Sequence, residues 1–548
     1  MDGSSNCRMW DELGEISQIE NWKTLWQECT DWALPRKDNI LKVNVEGLEK
    51  PVQRMIDVCI EANYNFATGF FSRMFPAGNI WGKFKHPDPD VNSDELVAEY
   101  FELVSREIHS ILTESNFTQE MQESLVDIGC LGTNCVYVEE DDDDVVNFRS
   151  LSVNNIRIGL NHKGRVDTVG RELELNSRQM LQKFGEDALK KAGLDQVIAQ
   201  VNMQKNEKYT VYHMVFPRQD FDSMQTNSTN KKFASTYTAK KTKKILKEGG
   251  YDLLPYFVGR FATGNDETYG RSPMMNILGT TRRTNAIYRS LITIAELNAG
   301  PQWLVIDDDS TQGLSNRANA IIRHRLGQEP KRLDSNGNPA LANEIYEAHN
   351  EDIKRAFFNH LFRPLDDYRN MTAHEVQQRM STDLMSLTPF ASRYYDEVVT
   401  PMLTLVFKYA QKSGRLPDMP PILAENPNFK IEYVGQLSLA TMSFETSGTF
   451  STLNMFAEVA QFVPAAQTAF DNVDWDSVLR TTWYNQNASM SSLNSAEDVE
   501  ETRMARAQQE AQAQQQAAMG EAAQAYTMGT KAPEEGSASQ ALIQQAGG

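Results

Sequence analysis

Apolar residues recur at helical spacing through most of the first 128 residues. Within 52–76 they fall at steps of three and four, which predicts a helix with one buried face. The positions concerned are Met55, Val58, Cys59, Ala62, Phe66, Phe70 and Met74. Residues 94–128 repeat this spacing, so the pattern predicts that 1–128 form a set of packed helices.

The pattern changes to alternation after Gly129. In "CVYVEEDDDDVVNFRSL" two apolar runs flank an acidic cluster, which predicts a β-hairpin with "EEDDDD" (139–144) at its tip rather than a calcium site. "IRIGLNHKGRVDTVGREL" predicts a second hairpin that turns near Lys163-Gly164, and "KYTVYHMVFPR" (208–218) predicts a strand. Residues 129–270 are therefore predicted to be mainly β, with one helix near 177–192. The lysine-rich stretch 231–247 is typical of a solvated face, with contact to nucleic acid or to an acidic neighbour as the alternative.

Two long helices with clear end signals follow. Ser272 as N-cap and Pro273 at the first helical position predict the start of the first, which spans 271–300 and stops at Gly300-Pro301. Residues 301–338 contain a short strand, "QWLVIDDD", and a polar segment. The second long helix spans 339–363 and ends before Pro364.

The rest of the chain is predicted to be largely helical. A short loop (364–371) leads into a helix from Thr372 that Pro389 and Pro401 should kink, and a strand follows within 372–445. Further helices occupy 446–495, an Ala/Gln-rich helix occupies 496–526, and the tail 527–548 is predicted to be disordered. The fold class predicted from these elements is α+β, mainly helical.

Composition narrows the classes of function. Against 54 Lys+Arg the 548 residues include 74 Asp+Glu, a net charge of −20, and such a chain is poorly suited to a tight grip on the DNA backbone. Five cysteines without metal-ligand spacing indicate reduced thiols. The chain shows neither a signal peptide nor an apolar run long enough to span a bilayer, so we expect a soluble protein, made inside a cell and not bound to a membrane.

One stretch approaches a catalytic motif. "NMTAHEVQQRMSTD" (370–383) would be a zinc-protease helix if Gln378 were histidine, but no histidine follows His374. Thr372 and Glu375 instead match a capping box at a helix start. There is no P-loop, nucleophile elbow or dinucleotide loop, so we expect no enzyme, no metal and no cofactor. A metal-dependent hydrolase that uses His374 and Glu375 is kept as an alternative.

The order of elements and several stretches resemble the portal proteins, or head-to-tail connectors, of short-tailed bacteriophages (the podovirus portal family). The stretches are "WALPRK", "SRMFPAGNIWGKF", "IGCLGTNCVYVEED", "VGRFATGNDETYGRSPMMNIL", "MTAHEVQQRMSTDLMSLTPFASRYYDEVVTPML" and "NASMSSLNSAEDVEETR". They occur in the family's order over most of residues 20–505.

This resemblance implies a dodecameric ring at one capsid vertex, around a channel for double-stranded DNA. Within it, 1–128 would be the helical part of the wing and 129–270 its β-rich part. The helices 271–300 and 339–363 would be the stem, 301–338 the small α/β clip and 364–371 the tunnel loop. Residues 372–445 would form a kinked wing and crown helix with its strand, 446–495 crown helices and 496–526 a possible barrel. The implied roles are genome packaging, DNA retention and ejection, and tail attachment.

The implied partners are the terminase large subunit, a tail adaptor, and the major capsid and scaffolding proteins, in a virion assembled in the host cytoplasm. The DNA-facing tunnel-loop residues would be Asp366, Asp367, Tyr368, Arg369 and Asn370. The acidic pair Asp366-Asp367 favours guiding or sealing over a direct grip on DNA. The partner-docking residues of the clip would be Arg323, Arg325, Lys331 and Arg332. A ring-forming scaffold without a DNA path is the remaining alternative.

Overall fold

The helical spacing of the N-terminal residues corresponds to packed helices in the computed structural model. It describes residues 3–35, 40–41, 54–92, 94–141, 143–203, 207–220, 227, 230–265, 267–299, 303–304, 331–332, 339–362, 385–425, 427–434, 473–485, 494 and 496–529. The first helices are α1 (Gly3–Ile16), α2 (Ile19–Ala33), α3 (Val58–Met74), α4 (Pro89–Asn92), α5 (Glu95–Glu114) and α6 (Phe117–Leu131). In α3 the predicted stripe from Cys59 to Met74 is buried, whereas Met55 precedes the helix and is exposed.

The alternating region forms two antiparallel sheets. Their strands are β2 (Thr133–Asp141), β3 (Val145–Leu151), β4 (Ile156–Leu160), β5 (Val166–Asn176), β6 (Lys208–Pro217), β7 (Phe233–Ala239), β8 (Lys244–Tyr251) and β9 (Tyr256–Arg260). One sheet has the order β3-β2-β9 and the other β4-β5-β6-β7-β8. Both predicted hairpins are confirmed, and the acidic cluster begins in the last residues of β2, where Glu139, Glu140 and Asp141 pair with β3, and continues to the turn. A separate strand, β1 (Gly82–Lys85), pairs with a strand late in the chain.

One boundary and one additional helix in this region differ from the prediction. Helix α6 continues through Leu131 because its stop is Gly132, whose φ of 75° suits a left-handed cap, so β2 begins only at Thr133. Beside the predicted helix α7 (Ser177–Lys191) lies an unpredicted one, α8 (Asp195–Asn202). A buried cluster that includes Leu189 and Val197 packs both helices on the five-stranded sheet.

A polar seam joins the two sheets. His213 of β6 is fully buried, with Nδ1 2.5 Å from the hydroxyl of Tyr256 on β9 and Nε2 2.9 Å from the hydroxyl of Ser235 on β7. Its ring stacks on Tyr237 at 3.9 Å. Burial and the nearby positive charges of Arg171, Lys183 and Lys247 hold the pKa of His213 well below its usual value, so the imidazole is neutral.

The two long helices are α9 (Pro273–Ala299) and α10 (Pro339–Ala356). Between them, β10 (Trp303–Leu304) pairs with β11 (Lys331–Arg332). Helix α10 ends at Ala356, earlier than predicted, because Phe358 has φ 59° and a 3₁₀ turn over Asn359–Phe362 follows. The Phe358 ring lies against Phe66 and Phe261 of the main core, and this packing accompanies the break in the helix.

The predicted proline kinks are present as interruptions. Helix α11 (Thr388–Tyr394) continues into a π-helical turn (Tyr395–Val399) and then α12 (Thr400–Lys412). Pro389 lies in the first turn of α11, where its missing N–H has no partner to lose, whereas Pro401 lies within the continuous helical run and directly follows the π turn. Helix α13 (Pro421–Glu425) and β12 (Lys430–Tyr433), the partner of β1, follow.

By its internal contacts the chain divides into a unit of residues 1–441 and a unit of residues 442–548. The second unit contains α14 (Trp475–Asn485) and α15 (Ala496–Gly529), the predicted Ala/Gln-rich helix. Arg503 of α15 forms a two-pronged ion pair with Asp476 of α14, with N–O distances of 2.6 and 2.7 Å. The part of the predicted tail beyond Gly529 lies outside the described residues.

Candidate functional site: the two long helices and their anchorage

The start of α9 is fixed by the predicted serine cap. The buried hydroxyl of Ser272 accepts a hydrogen bond from the Met275 amide at 3.1 Å and donates one to the Cys130 carbonyl at 2.8 Å. The first bond is that of an N-cap. The second joins the cap to the last turn of α6, so one side chain both starts the long helix and attaches it to the N-terminal helices.

Two glycines bring the entry segment of α9 against β2. The Gly270 amide donates to the Thr133 hydroxyl at 2.7 Å. A Cβ on Gly132 would lie 2.4 Å from the Gly270 carbonyl oxygen, and one on Gly270 would lie 2.2 Å from the Gly132 oxygen. Since real Cβ atoms do not approach a backbone oxygen so closely, only glycine fits at either position.

A buried ion pair joins β9 to the kinked helix. Glu397, in the π turn, accepts from the Arg260 guanidinium at 2.5 and 3.1 Å and from the Arg260 backbone amide at 3.0 Å. The same guanidinium donates to the Gly164 carbonyl at 3.0 Å. The two side chains are only 7% and 18% exposed, so this pair is shielded from solvent.

The first half of α9 is also held from the side by α2 and α3. Arg282 donates two bonds of 2.6 Å to Glu28 of α2, in the bidentate arrangement that suits guanidinium and carboxylate. Asn285 accepts from the Met55 amide at 2.9 Å, and the Thr281 hydroxyl lies 3.5 Å from the Cys59 sulfur of α3. These contacts fix the direction in which α9 leaves the body of the unit.

Beyond this point α9 packs against α10. Tyr288 and Tyr346 stack with ring centroids 5.1 Å apart. Between the two helices in the sequence, the antiparallel strands β10 and β11 pair with Trp303 opposite Arg332 and Leu304 opposite Lys331.

The structure locates two of the predicted site residues. Lys331 and Arg332 form β11, whereas Arg323 and Arg325 lie outside the described residues. The predicted tunnel-loop residues, Asp366, Asp367, Tyr368, Arg369 and Asn370, lie outside them as well, and so do His374 and Glu375. These assignments remain predictions.

The described residues offer little for catalysis. No group of three or more His, Cys, Asp or Glu side chains among them is arranged to hold a metal ion. All five cysteines are free and buried, and burial raises the pKa of Cys59 to about 11 and that of Cys135 to about 12, which disfavours the nucleophilic thiolate. No helix in the described ranges is long and apolar enough to cross a membrane.

The sequence reasoning missed the residues that anchor α9 and the pair that joins β9 to the kinked helix. Glu397 is 137 positions from Arg260 and Glu28 is 254 positions from Arg282. In one sequence these residues are ordinary members of a charged surface, and no local signal pairs them. Gly132 and Gly270 were visible only as glycines near strand and helix ends.

Comparison of the sequence with known proteins shows the family to which this chain belongs. The sequence model of the bacteriophage head to tail connecting proteins matches residues 10–491, and the chain belongs to that family. The family is structural and not enzymatic. The resemblance to portal proteins of short-tailed phages is thereby confirmed.

Two relatives are similar over nearly the whole chain. The portal protein of Salmonella phage epsilon15 is 26% identical over 531 residues, covering 93% of each chain. The probable portal protein of Bordetella phage BPP-1 is 25% identical over 470 residues, covering 84% of each chain.

Proposed function

We propose that this chain is the subunit of a dodecameric portal ring at the capsid vertex, whose channel conducts double-stranded DNA during genome packaging, retention and ejection. The observation that carries the proposal is the pair of long helices α9 and α10, anchored to an α/β body and closed by β10 and β11, in a chain that the family matches from residue 10 to 491. In this assignment the helix pair is the stem and residues 301–338 are the clip. The two sheets belong to the wing, 372–445 continue into the crown, and α15 contributes to a barrel.

The charge of the chain supports a channel that does not hold DNA. Each subunit has a net charge of −20, and a ring multiplies it. Tight DNA binding depends on cations that neutralise phosphates and release counterions. We expect a ring of such acidic subunits to let a duplex slide. The tunnel loop 364–371, with Asp366 and Asp367 before Arg369, guides or seals the DNA and does not grip it.

The clip is the docking site for partners on the tail side. Lys331 and Arg332 follow one another in β11. We propose that they and the loop residues Arg323 and Arg325 attract acidic surfaces of the terminase large subunit during packaging and of the tail adaptor afterwards. The major capsid protein surrounds the wing in the virion, and scaffolding proteins contact the ring during assembly.

Electron microscopy of the purified full-length chain tests the ring directly. We expect closed rings with a central channel, and a particle mass of a dodecamer in native mass spectrometry. A compact monomer across protein concentrations, ionic strengths and added scaffolding protein would refute the proposal. A ring without a channel wide enough for a duplex would instead support the scaffold alternative.

A loop deletion tests the DNA path separately. Removing Asp366–Asn370 should leave ring assembly intact and impair packaging or retention of DNA, measured as nuclease-protected genome per particle. Replacing the same residues with a Gly/Ser stretch of equal length separates loss of contacts from loss of length. Normal packaging and retention in both variants would remove this loop from the DNA path.

A further inference from the structure

The stacked tyrosines define which sides of α9 and α10 face each other and which face away. Residues of an α-helix are about 100° apart around the axis. Arg283, five positions from Tyr288, is therefore turned about 140° from the side that meets α10. Glu344, two positions from Tyr346, is turned about 160° from the side that meets α9. The outer faces of the two helices thus point in roughly opposite directions.

The outer face of α9 is basic. Arg283 and Arg289 are exposed, and neither forms an ion pair with another described residue. The Arg283 guanidinium bonds only within its own helix in the described part of the chain, to the Gly279 carbonyl at 3.2 Å and more weakly to the Thr280 hydroxyl. Arg289, one position from Tyr288, is turned about 100° from the side that meets α10, so the two arginines flank the outer face about 120° apart. Ala286 and Ser290, which lie between these two directions around the axis, have small side chains. A second helix can therefore approach closely while both guanidinium groups reach it.

The outer face of α10 is acidic with an apolar margin. Glu344, Glu347 and Glu351 are exposed and recur at steps of three and four, so they share one side of the helix. Within the described residues only Glu351 has an ion-pair partner, Lys354 of the same helix at 3.5 Å. Beside this stripe Leu341 is 53% exposed and Ile345 39% exposed, which leaves apolar area uncovered in the isolated protomer.

We infer that the outer face of α9, through Arg283 and Arg289, docks on the outer face of α10 of a second copy of this chain, through Glu344 and Glu347. Opposite charges on faces that point apart make a head-to-tail contact, which does not produce a symmetric dimer and forms a ring where the rotation between subunits closes. The neighbour's helix also covers Leu341 and Ile345. This inference rests on the proposed function, because it assigns to the ring the surface by which its subunits associate.

Charge reversal on each face tests the contact in the full-length protein. Arg283→Glu with Arg289→Glu places acidic side chains opposite the acidic α10, and Glu344→Lys with Glu347→Lys places basic ones opposite the basic α9. Either pair should raise the protein concentration for half assembly by about tenfold or more, because like charges at close range repel. Light scattering after size exclusion measures this at low salt. As a matched control, Arg106→Glu with Arg178→Glu changes the charge equally on α5 and α7 and should leave assembly unchanged.

Mixing the two reversed variants gives the decisive result. In the mixture each acidic α9 meets a basic α10 and each acidic α10 meets a basic α9. Two chains that fail to assemble alone should therefore form rings of alternating subunits, and a single chain with all four changes should assemble on its own. Circular dichroism and thermal unfolding of each variant show whether its fold is intact.

The outcomes separate this inference from the proposed function. Rings of wild-type protein together with undiminished rings of both reversed variants would overturn the inference and leave the portal proposal standing. Failure of both the mixture and the fourfold variant to assemble, with folded protomers, would overturn it as well. A wild-type chain that never forms rings would overturn both.

Discussion

Removing one partner of the buried ion pair between Arg260 and Glu397 should cost more stability than breaking any exposed pair in the chain's described parts. The change is Glu397→Ala, which removes a carboxylate that accepts three hydrogen bonds from Arg260 at 2.5–3.1 Å. Arg260, only 7% exposed in its side chain, would keep the Gly164 carbonyl as a partner but would lose its counter-charge.

Removing one partner of a buried pair typically destabilises by about 3–5 kcal/mol, because the other charge is left without compensation. The remaining bond to Gly164 and the partial exposure of Glu397 place this case at the lower end, about 3 kcal/mol. The pair joins β9 to the π turn before α12. We therefore expect the loss to appear first as local opening of Tyr256–Arg260 and Tyr395–Lys412.

Hydrogen–deuterium exchange of the full-length protein, followed by mass spectrometry, measures that opening without a reversible global transition. A loss of about 3 kcal/mol speeds exchange through local opening by about a hundredfold. The control is Glu102→Ala, which breaks an exposed pair with Arg106 worth about 0.5 kcal/mol or less. If Glu397→Ala changed exchange of these peptides no more than Glu102→Ala changes exchange around α5, the assignment of this pair as a structural joint would be wrong.

Three further changes test the anchorage of α9 and the seam between the sheets. Gly132→Ala should lower the free energy of unfolding by at least about 2 kcal/mol, because its φ is 75° and its Cβ would meet the Gly270 oxygen. Thermal unfolding should show a smaller loss of stability for the control Gly414→Ala, where φ is 74° but the space is open. Ser272→Ala should cost about 1 kcal/mol or more through the lost cap and the Cys130 carbonyl left without its donor, whereas exposed Ser290→Ala should stay within about 0.5 kcal/mol in the same assay. For His213, the folded pKa lies below the ordinary value of 6.5, so the unfolded chain takes up a proton that the folded one does not. The contribution of His213 to stability is therefore fully present above about pH 6.5, and the free energy of unfolding falls by up to about 1.4 kcal/mol per pH unit below it. His213→Gln should make the free energy of unfolding, measured with urea between pH 7 and 5, less dependent on pH. An unchanged pH dependence in this variant would contradict the neutral buried imidazole.

Local signals account for what the sequence could predict of the fold. The serine cap and proline at the start of α9 depend on residues within one turn, and both hairpins depend on alternation on either side of a turn. The end of α10 was not predictable in this way. The left-handed Phe358 packs against Phe66 and Phe261, which are remote in sequence.

The candidate site was predictable only from the stretches that resemble the portal family in the same order along the chain. The motifs indicated the family, which the match over residues 10–491 confirms, and they indicated which helices form the pair. Of the predicted docking residues the structure locates Lys331 and Arg332, on a strand of two residues. It adds the anchors Glu28 and Glu397, whose partners in sequence could be any of the many arginines and lysines.

Different residues of α9 serve folding and assembly: those of its first half bond to the same chain, and the arginines of its outer face do not. Ser272, Thr281, Arg282 and Asn285 bond to other elements of their own chain, so changes there alter the protomer. Arg283 and Arg289 make no such bonds in the described structure, so reversing their charge should leave the unfolding of the protomer unchanged. If their role is contact with a second copy, substitutions at these two residues should change ring assembly and leave the stability of the protomer unchanged. A substitution at Ser272 should change the stability of the protomer even where no ring is present. A subunit that must fold before it joins a ring requires this independence, because a contact shared by both processes would leave the free protomer unstable.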